Sequence, residues 1–471
     1  MSRQGLWQRH RAKFLFSSAI VASLVASGAV TILLIKKWLY RQQLKISEQH
    51  FVKEQIKRRF TQTQQDALYT IYELVPVLSL VLAKDLDVEE VVAALKDKKL
   101  ARKLSNGGRG DTGAGTCRSE HDDGLSSGMS TNVTESRGAD MRNAENRESQ
   151  EPASNKGKTK AELWNELKIK SLAKLCTLVY TVASLLLLTR LQLNILARRE
   201  YLDTAVKMAV EKEAATHSVL PEWLSRLWPS TVSDAEQETS AVDPESEKDA
   251  KKTNYINEQA FLSLSWWVLN RGWLQFKAIA TEQTERQFGN LSPRDTLSVE
   301  EFADRLSHVF HAMNQSLITN ADNGNQVGSI LLPDSTLEQF VLQQTLDQDA
   351  LKTLYDDNSI LRQLINETTK CLQSTVSLIV LESLVNTAFQ YIMSEIDQGV
   401  TKKVKKPHAE AEISEEPSKF QIALFSIASK DCSEEMLKSG VVSMNNAFLQ
   451  RLDSVPELDD LSASVYSNFG F

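Results

Sequence analysis

Residues 161–203 read AELWNELKIKSLAKLCTLVYTVASLLLLTRLQLNILARREYLD. This stretch decides the fold. Its centre, Leu175–Thr189, is an uninterrupted apolar run bounded by Lys174 and Arg190. About fifteen residues is short for a membrane span and typical of a buried core helix. If the run did span, the chain would be a membrane hairpin. Upstream, Thr159-Lys160-Ala161-Glu162 has capping-box spacing, in which the threonine accepts from a first-turn N–H and the glutamate reaches back. A helix is predicted to start there. Leu163, Trp164 and Leu167 fall in its first two turns, with Lys160, Lys168 and Lys170 around them. A tryptophan at a helix start beside a polar tract is either a core anchor or an exposed docking residue.

Moving outward, the breakers are concentrated rather than spread. Of 18 glycines, nine lie between Gly107 and Gly157. Elsewhere Leu, Ala, Glu, Gln and Lys dominate and strand-like alternation is scarce, which predicts long helices. Arg41 to about Leu74 reads as an amphipathic helix carrying Phe51, Ile56 and Phe60. Pro76 is expected to interrupt or kink the following apolar stretch. Val88–Lys103 reads as a further helix with Val91, Val92 and Leu95 on one side. Polar tracts at about 105–158, 230–253 and 401–418 have the composition of disordered insertions. They separate helical blocks of one all-α domain.

The chain begins with a basic segment, residues 1–13. Phe14 to Ile35, FLFSSAIVASLVASGAVTILLI, carries no charge. Its 1.5 Å rise per residue gives about 33 Å, enough for a hydrocarbon core of about 30 Å. Basic residues follow it directly, where a cleaved signal would have small polar ones. A single retained membrane anchor is expected, with residues 36–471 as the all-α domain behind it. Positive charge on both sides leaves its orientation open.

Lys+Arg of 54 against Asp+Glu of 61 gives a net charge of −7, which argues against a nucleic-acid binder. Four scattered cysteines exclude a disulfide framework and the common zinc modules. Enzyme-like strings fail on context. Gly124–Gly128 matches G-x-S-x-G but lacks the strand–turn–helix that a nucleophile elbow needs. Gly157-Lys158-Thr159 ends like a P-loop, yet Pro152 stands where the first glycine belongs. His308 and His311 have no second ligand pair nearby. The expectation is a non-enzyme without cofactor or metal.

The ordered series of segments resembles the peroxin-3 family, fungal type. The resemblance rests on the basic start and single apolar span, on EQIKRRFTQTQQDALYTIYELVP (54–76), on residues 161–203, and on FLSLSWWVLNRGW (261–273). It implies an elongated all-α cytosolic bundle anchored in the peroxisomal membrane. It also implies docking of the carrier peroxin-19 through an amphipathic helix laid in an apolar groove. The family's docking tryptophan falls on Trp164, its preceding lysine on Lys160 and its following leucine on Leu167, with Leu163 alongside. Inheritance and selective-autophagy factors are further partners that the resemblance implies. The competing reading is a passive tether or scaffold without carrier docking. N-x-S/T strings at Asn132, Asn290, Asn314 and Asn366 would report lumenal exposure if glycosylated.

Overall fold

The computed structural model describes residues 36, 52–107, 157–217, 244–318, 326–404, 418–438 and 445–468. The expected anchor, Phe14–Ile35, lies outside the described residues, as do most of the three polar tracts. The chain divides into two compact units, Met1–Thr63 and Gln64–Phe471.

The described residues are helical apart from short connections and one two-stranded ladder. In chain order the first helices are α1 (Val52–Asp85), α2 (Val88–Gly107), α3 (Lys160–His217) and α4 (Pro244–Ser263). A short helical turn and a π-helical turn, Val268–Gly272, lead into α5 (Trp273–Phe288). Then come α6 (Val299–Ile318), α7 (Gln326–Leu331), α8 (Ser335–Thr345), α9 (Gln348–Asp356), α10 (Ser359–Leu372) and α11 (Thr375–Val404). The last are α12 (Ile422–Leu437), α13 (Ala447–Asp453) and α14 (Pro456–Ser467). The strands β1 (Thr296–Leu297) and β2 (Phe420–Gln421) pair antiparallel, Thr296 opposite Gln421.

The helix α3 is the axis of the core. α5, α12, α14, α2 and α11 all pack on it. Its apolar centre is enclosed on every side, and the most hydrophobic 18-residue window is wholly buried within the protein. The run at 175–189 is therefore a core helix. A helix apolar all round needs apolar neighbours all round, and here other helices supply them. The hydroxyls of Thr177 and Thr181 would be costly in this setting. They donate instead to the Ala173 and Thr177 carbonyls, each at 2.7 Å.

Two further helices, Val52–Asp85 and Thr375–Lys403, are also long and apolar enough to cross a bilayer by length and composition. Their burial is one-sided. In α1, Ala67, Ile71, Tyr72, Val75, Leu78 and Leu82 are buried, while Tyr69, Val77 and Leu80 are exposed. That is the stripe of a bundle helix. Pro76 does not end α1. It sits on the exposed side, where its ring faces solvent and the helix continues with one i→i−4 bond missing.

Two expectations are corrected by helix ends. The tract at 230–253 was expected to be loop, but residues 244–253 form the first half of α4. Pro244 sits at its start, where the absent N–H costs nothing. The tract at 401–418 likewise begins with the last residues of α11. Gly272, at the end of the π-helical turn, has a packing reason. A Cβ there would lie 2.3 Å from the Ile330 carbonyl oxygen, so only glycine admits this approach of α7.

Candidate functional site: the ledge formed by α2 and the start of α3

The capping box forms as the spacing predicts. Thr159 N–H donates to Glu162 at 2.7 Å, and Glu162 N–H donates to the Thr159 hydroxyl at 3.3 Å. The start of α3 is thus a defined point. One turn on, Glu166 takes Lys158 at 2.8 Å and Lys170 at 2.9 Å. Partial burial pushes the Glu166 carboxyl up, and the two ammonium groups together outweigh it and hold the carboxyl below its ordinary value. Lys158, the residue of the P-loop-like string, is therefore engaged in an ion pair.

Lys168 is buried. Its ammonium donates to the Phe288 carbonyl at 2.7 Å and also to the Leu291 carbonyl. The Phe288 carbonyl ends α5 and Leu291 lies in the connection just after it, so a cation there meets the negative end of the helix dipole. Burial pulls the Lys168 pKa below that of a free lysine, with Asp295 opposing.

The residues expected to bind a partner separate into two stripes. Leu163 and Leu167 are fully buried. With Val88, Val91, Val92 and Leu95 of α2 they make a small apolar cluster distinct from the main core. Trp164 and Ala94 are partly buried and pack against that cluster. Lys160 is exposed. The reason is helical spacing: 163 and 167 share the stripe turned to α2, while 160 and 164 share the next one round. Leu163 and Leu167 do not present a surface to a visitor. They form the floor on which the indole rests.

The other wall was not anticipated. Val88, Val91, Val92 and Leu95 follow the i, i+3, i+4, i+7 pattern, so the apolar face of α2 was readable. Its pairing with Leu163 and Leu167 was not, because they lie across the 105–158 tract. Beyond this floor, Leu100 of α2 is 60% exposed, with Lys96 and Arg102 also exposed. The arrangement offers apolar area beside cations and holds no nucleophile paired with a base. Among the described residues no group of three or more His, Cys, Asp or Glu could hold a metal ion. His308 pairs loosely with Asp304 at 3.7 Å on the surface of α6. The G-x-S-x-G string at 124–128 lies outside the described residues.

Comparison with known proteins places this sequence in a family. The family model described as Peroxin-3 matches residues 5–468. Curated relatives named peroxisomal biogenesis factor 3 align along the full chain. That of Eremothecium gossypii is 51% identical over 100% of both chains. That of Kluyveromyces lactis is 48% identical over 99% of each. That of Saccharomyces cerevisiae is 43% identical over 99% of this chain and 96% of its own.

Proposed function

The chain belongs to the peroxin-3 family, and from that premise we propose that it acts in peroxisome biogenesis as the membrane docking receptor for a peroxin-19-like carrier. The carrier's amphipathic helix lies on the α2–α3 ledge. Trp164 is its apolar anchor, and Lys160 with the cations of α2 meets acidic residues of the visitor. Client membrane proteins arrive with the carrier and are released near the bilayer. The anchor Phe14–Ile35 crosses the peroxisomal membrane once, leaving the helical body in the cytosol.

One observation carries this reading. Trp164 is a large aromatic that its own fold only partly covers, on a satellite cluster outside the main core. Helix-in-groove recognition uses such anchors. Covering the exposed part of the indole contributes about 1–2 kcal/mol at about 25 cal/mol per Å². Rigid aromatic hot spots commonly lose more on truncation.

The test uses the full chain in detergent, titrated with the N-terminal peptide of a peroxin-19. Trp164→Ala is expected to weaken binding about tenfold or more, which corresponds to about 1.4 kcal/mol. Helical circular dichroism should stay unchanged. Unaltered affinity, or loss of helix content, would remove the docking role from Trp164. Protease added to intact peroxisomes should digest the body, and protection of the body would overturn the cytosolic orientation.

A further inference from the structure

Apolar contacts hold helices together without fixing their angle, because burial has little directionality. The α2 helix touches α3 through six buried apolar side chains that belong to a cluster of their own. Its first turn also carries a directional contact. Glu89 pairs with Lys430 of α12 at 2.9 Å. The Lys430 side chain is only 14% exposed and is paired with Glu434 one turn along as well. Lys174 of α3, largely buried, feels Glu434, Glu89 and Asp87. Five charged groups from three helices and the α1–α2 link thus meet at the N-terminal end of α2.

We propose that Lys430 is a positioning residue for the docking ledge: paired with Glu89, it sets the angle of α2 on α3 and so the degree to which Trp164 stands clear. This deepens the docking reading and rests on it. Lys430 does not touch the visiting helix. It acts through α2, which contributes Val88, Val91, Val92 and Leu95 to the cluster against which Trp164 packs. The lysine belongs to the main body, since α12 packs on α3 and α11. The satellite cluster is thereby referenced to the main core by charge. Without the lysine, the ion pair that ties α2 to α12 is gone, and Lys174 is the cation left to offset Glu89 and Glu434.

The experiment compares wild type, Lys430→Met, Glu89→Lys and the swapped pair Glu89→Lys with Lys430→Glu, each as the full chain in detergent. Amide hydrogen exchange across α2 is measured without ligand, then affinity for a peroxin-19 N-terminal peptide, then Tm. Lys430→Met should speed exchange in α2 and weaken the peptide about fivefold, the lower end of typical site-to-site coupling. Its Tm should move by no more than about 2 °C, because the main core is intact. The swapped pair should return exchange and affinity to within about twofold of wild type, the result a simple packing role would not give.

Unchanged exchange in Lys430→Met overturns the proposal. So does faster exchange with unchanged affinity, which would mean that α2 is held but the ledge is not set by it. Failure of the swap to restore either readout assigns the effect to packing of the lysine stem and also overturns it. Absence of peptide binding by wild type defeats the docking reading itself, a failure separate from any of these.

Discussion

The Lys168 ammonium, on the third turn of α3, donates to the Phe288 carbonyl at the end of α5 at 2.7 Å. Two helices that meet far apart in sequence are tied there by one buried cation. The Phe288 carbonyl also accepts the Leu291 N–H at 3.1 Å, so the ammonium is its second donor and the Leu291 carbonyl's partner from α3. Replacing it with Met keeps the stem and deletes the donor. Lys168→Met should cost about 1.5–3 kcal/mol of stability, the range for hydrogen bonds made by a charged group. Chemical denaturation checks this, and a change within error would show that water reaches those carbonyls.

Arg190 performs a similar task with more partners. Its guanidinium is almost wholly enclosed and bonds Gln64 of α1, Asp453 of α13 and, at 3.3 Å, Asp459 of α14. Three helices from opposite ends of the chain converge on one side chain of the core helix. Removing one partner of a buried ion pair commonly costs about 3–5 kcal/mol because the other charge is left behind. Both aspartates here are partly exposed, so Arg190→Met should cost less than that range, about 2–3 kcal/mol. Arg190→Lys should recover less than half of that, since an ammonium cannot span the fork. Equal stability of the Lys variant and wild type would show that charge alone suffices.

These examples mark what was legible in the sequence. The start of α3 was readable because a capping box is local, its partners three residues apart. The enclosure of 175–189 was readable from its length. The stripe to which Trp164 belongs is also local, yet which stripe faces inward depends on what packs there. Leu163 and Leu167 were expected to meet a partner, and the valines of α2 cover them instead. Nothing within residues 159–175 signals α2. The helical start of α4 was missed because its charges resemble those of a loop, and only their one-turn spacing distinguishes the two.

The floor and the anchor should respond differently to truncation. Leu167→Ala opens a cavity in the satellite cluster, and buried Leu→Ala changes cost about 2–5 kcal/mol. The cluster is small and separate from the main core, so that cost should appear as local unfolding of α2. Hydrogen exchange should rise across residues 88–102 while the centre of α3 stays protected. Trp164→Ala, being partly exposed, should raise exchange less but reduce peptide affinity more. Matching effects of the two variants on both readouts would mean that anchor and floor are one structural unit.

Cysteine chemistry should be quiet among the described residues. Burial pushes the Cys176 and Cys432 thiols up to about 12, and nearby Glu395 adds to the effect at Cys432. Burial, then Glu367, also raises Cys371. The thiolate is the reactive form, so at pH 8 these three are nearly inert. A thiol reagent followed by mass spectrometry should leave Cys176 and Cys432 unmodified until denaturant is added. Rapid native labelling of Cys176 would mean that α3 opens readily.

The carboxyls at the α2–α12 contact make stability depend on pH with a definite sign. Burial raises Glu434, the hydrogen bond with Glu89 raises it further, and Lys430 opposes. Glu89 is lowered, chiefly by that same bond and then by Lys430 and Lys174. The bond needs a proton, and the raised carboxyl of the two, Glu434, is the one that keeps it to higher pH. A raised carboxyl stabilises the fold fully below its unfolded value, and that contribution is lost as pH rises through the folded value. The lowered Glu89 works the other way: its contribution is present above the unfolded value and is lost as pH falls through the folded one. The contact is therefore strongest between the two displaced values and weakens as Glu434 ionises. Glu434→Gln keeps a neutral donor at every pH. Its Tm should match wild type under mildly acidic conditions and exceed it increasingly as pH rises past the ordinary carboxylate range. A difference of constant size, or one that shrinks with rising pH, would place the proton elsewhere among Asp87, Glu89, Lys174, Lys430 and Glu434.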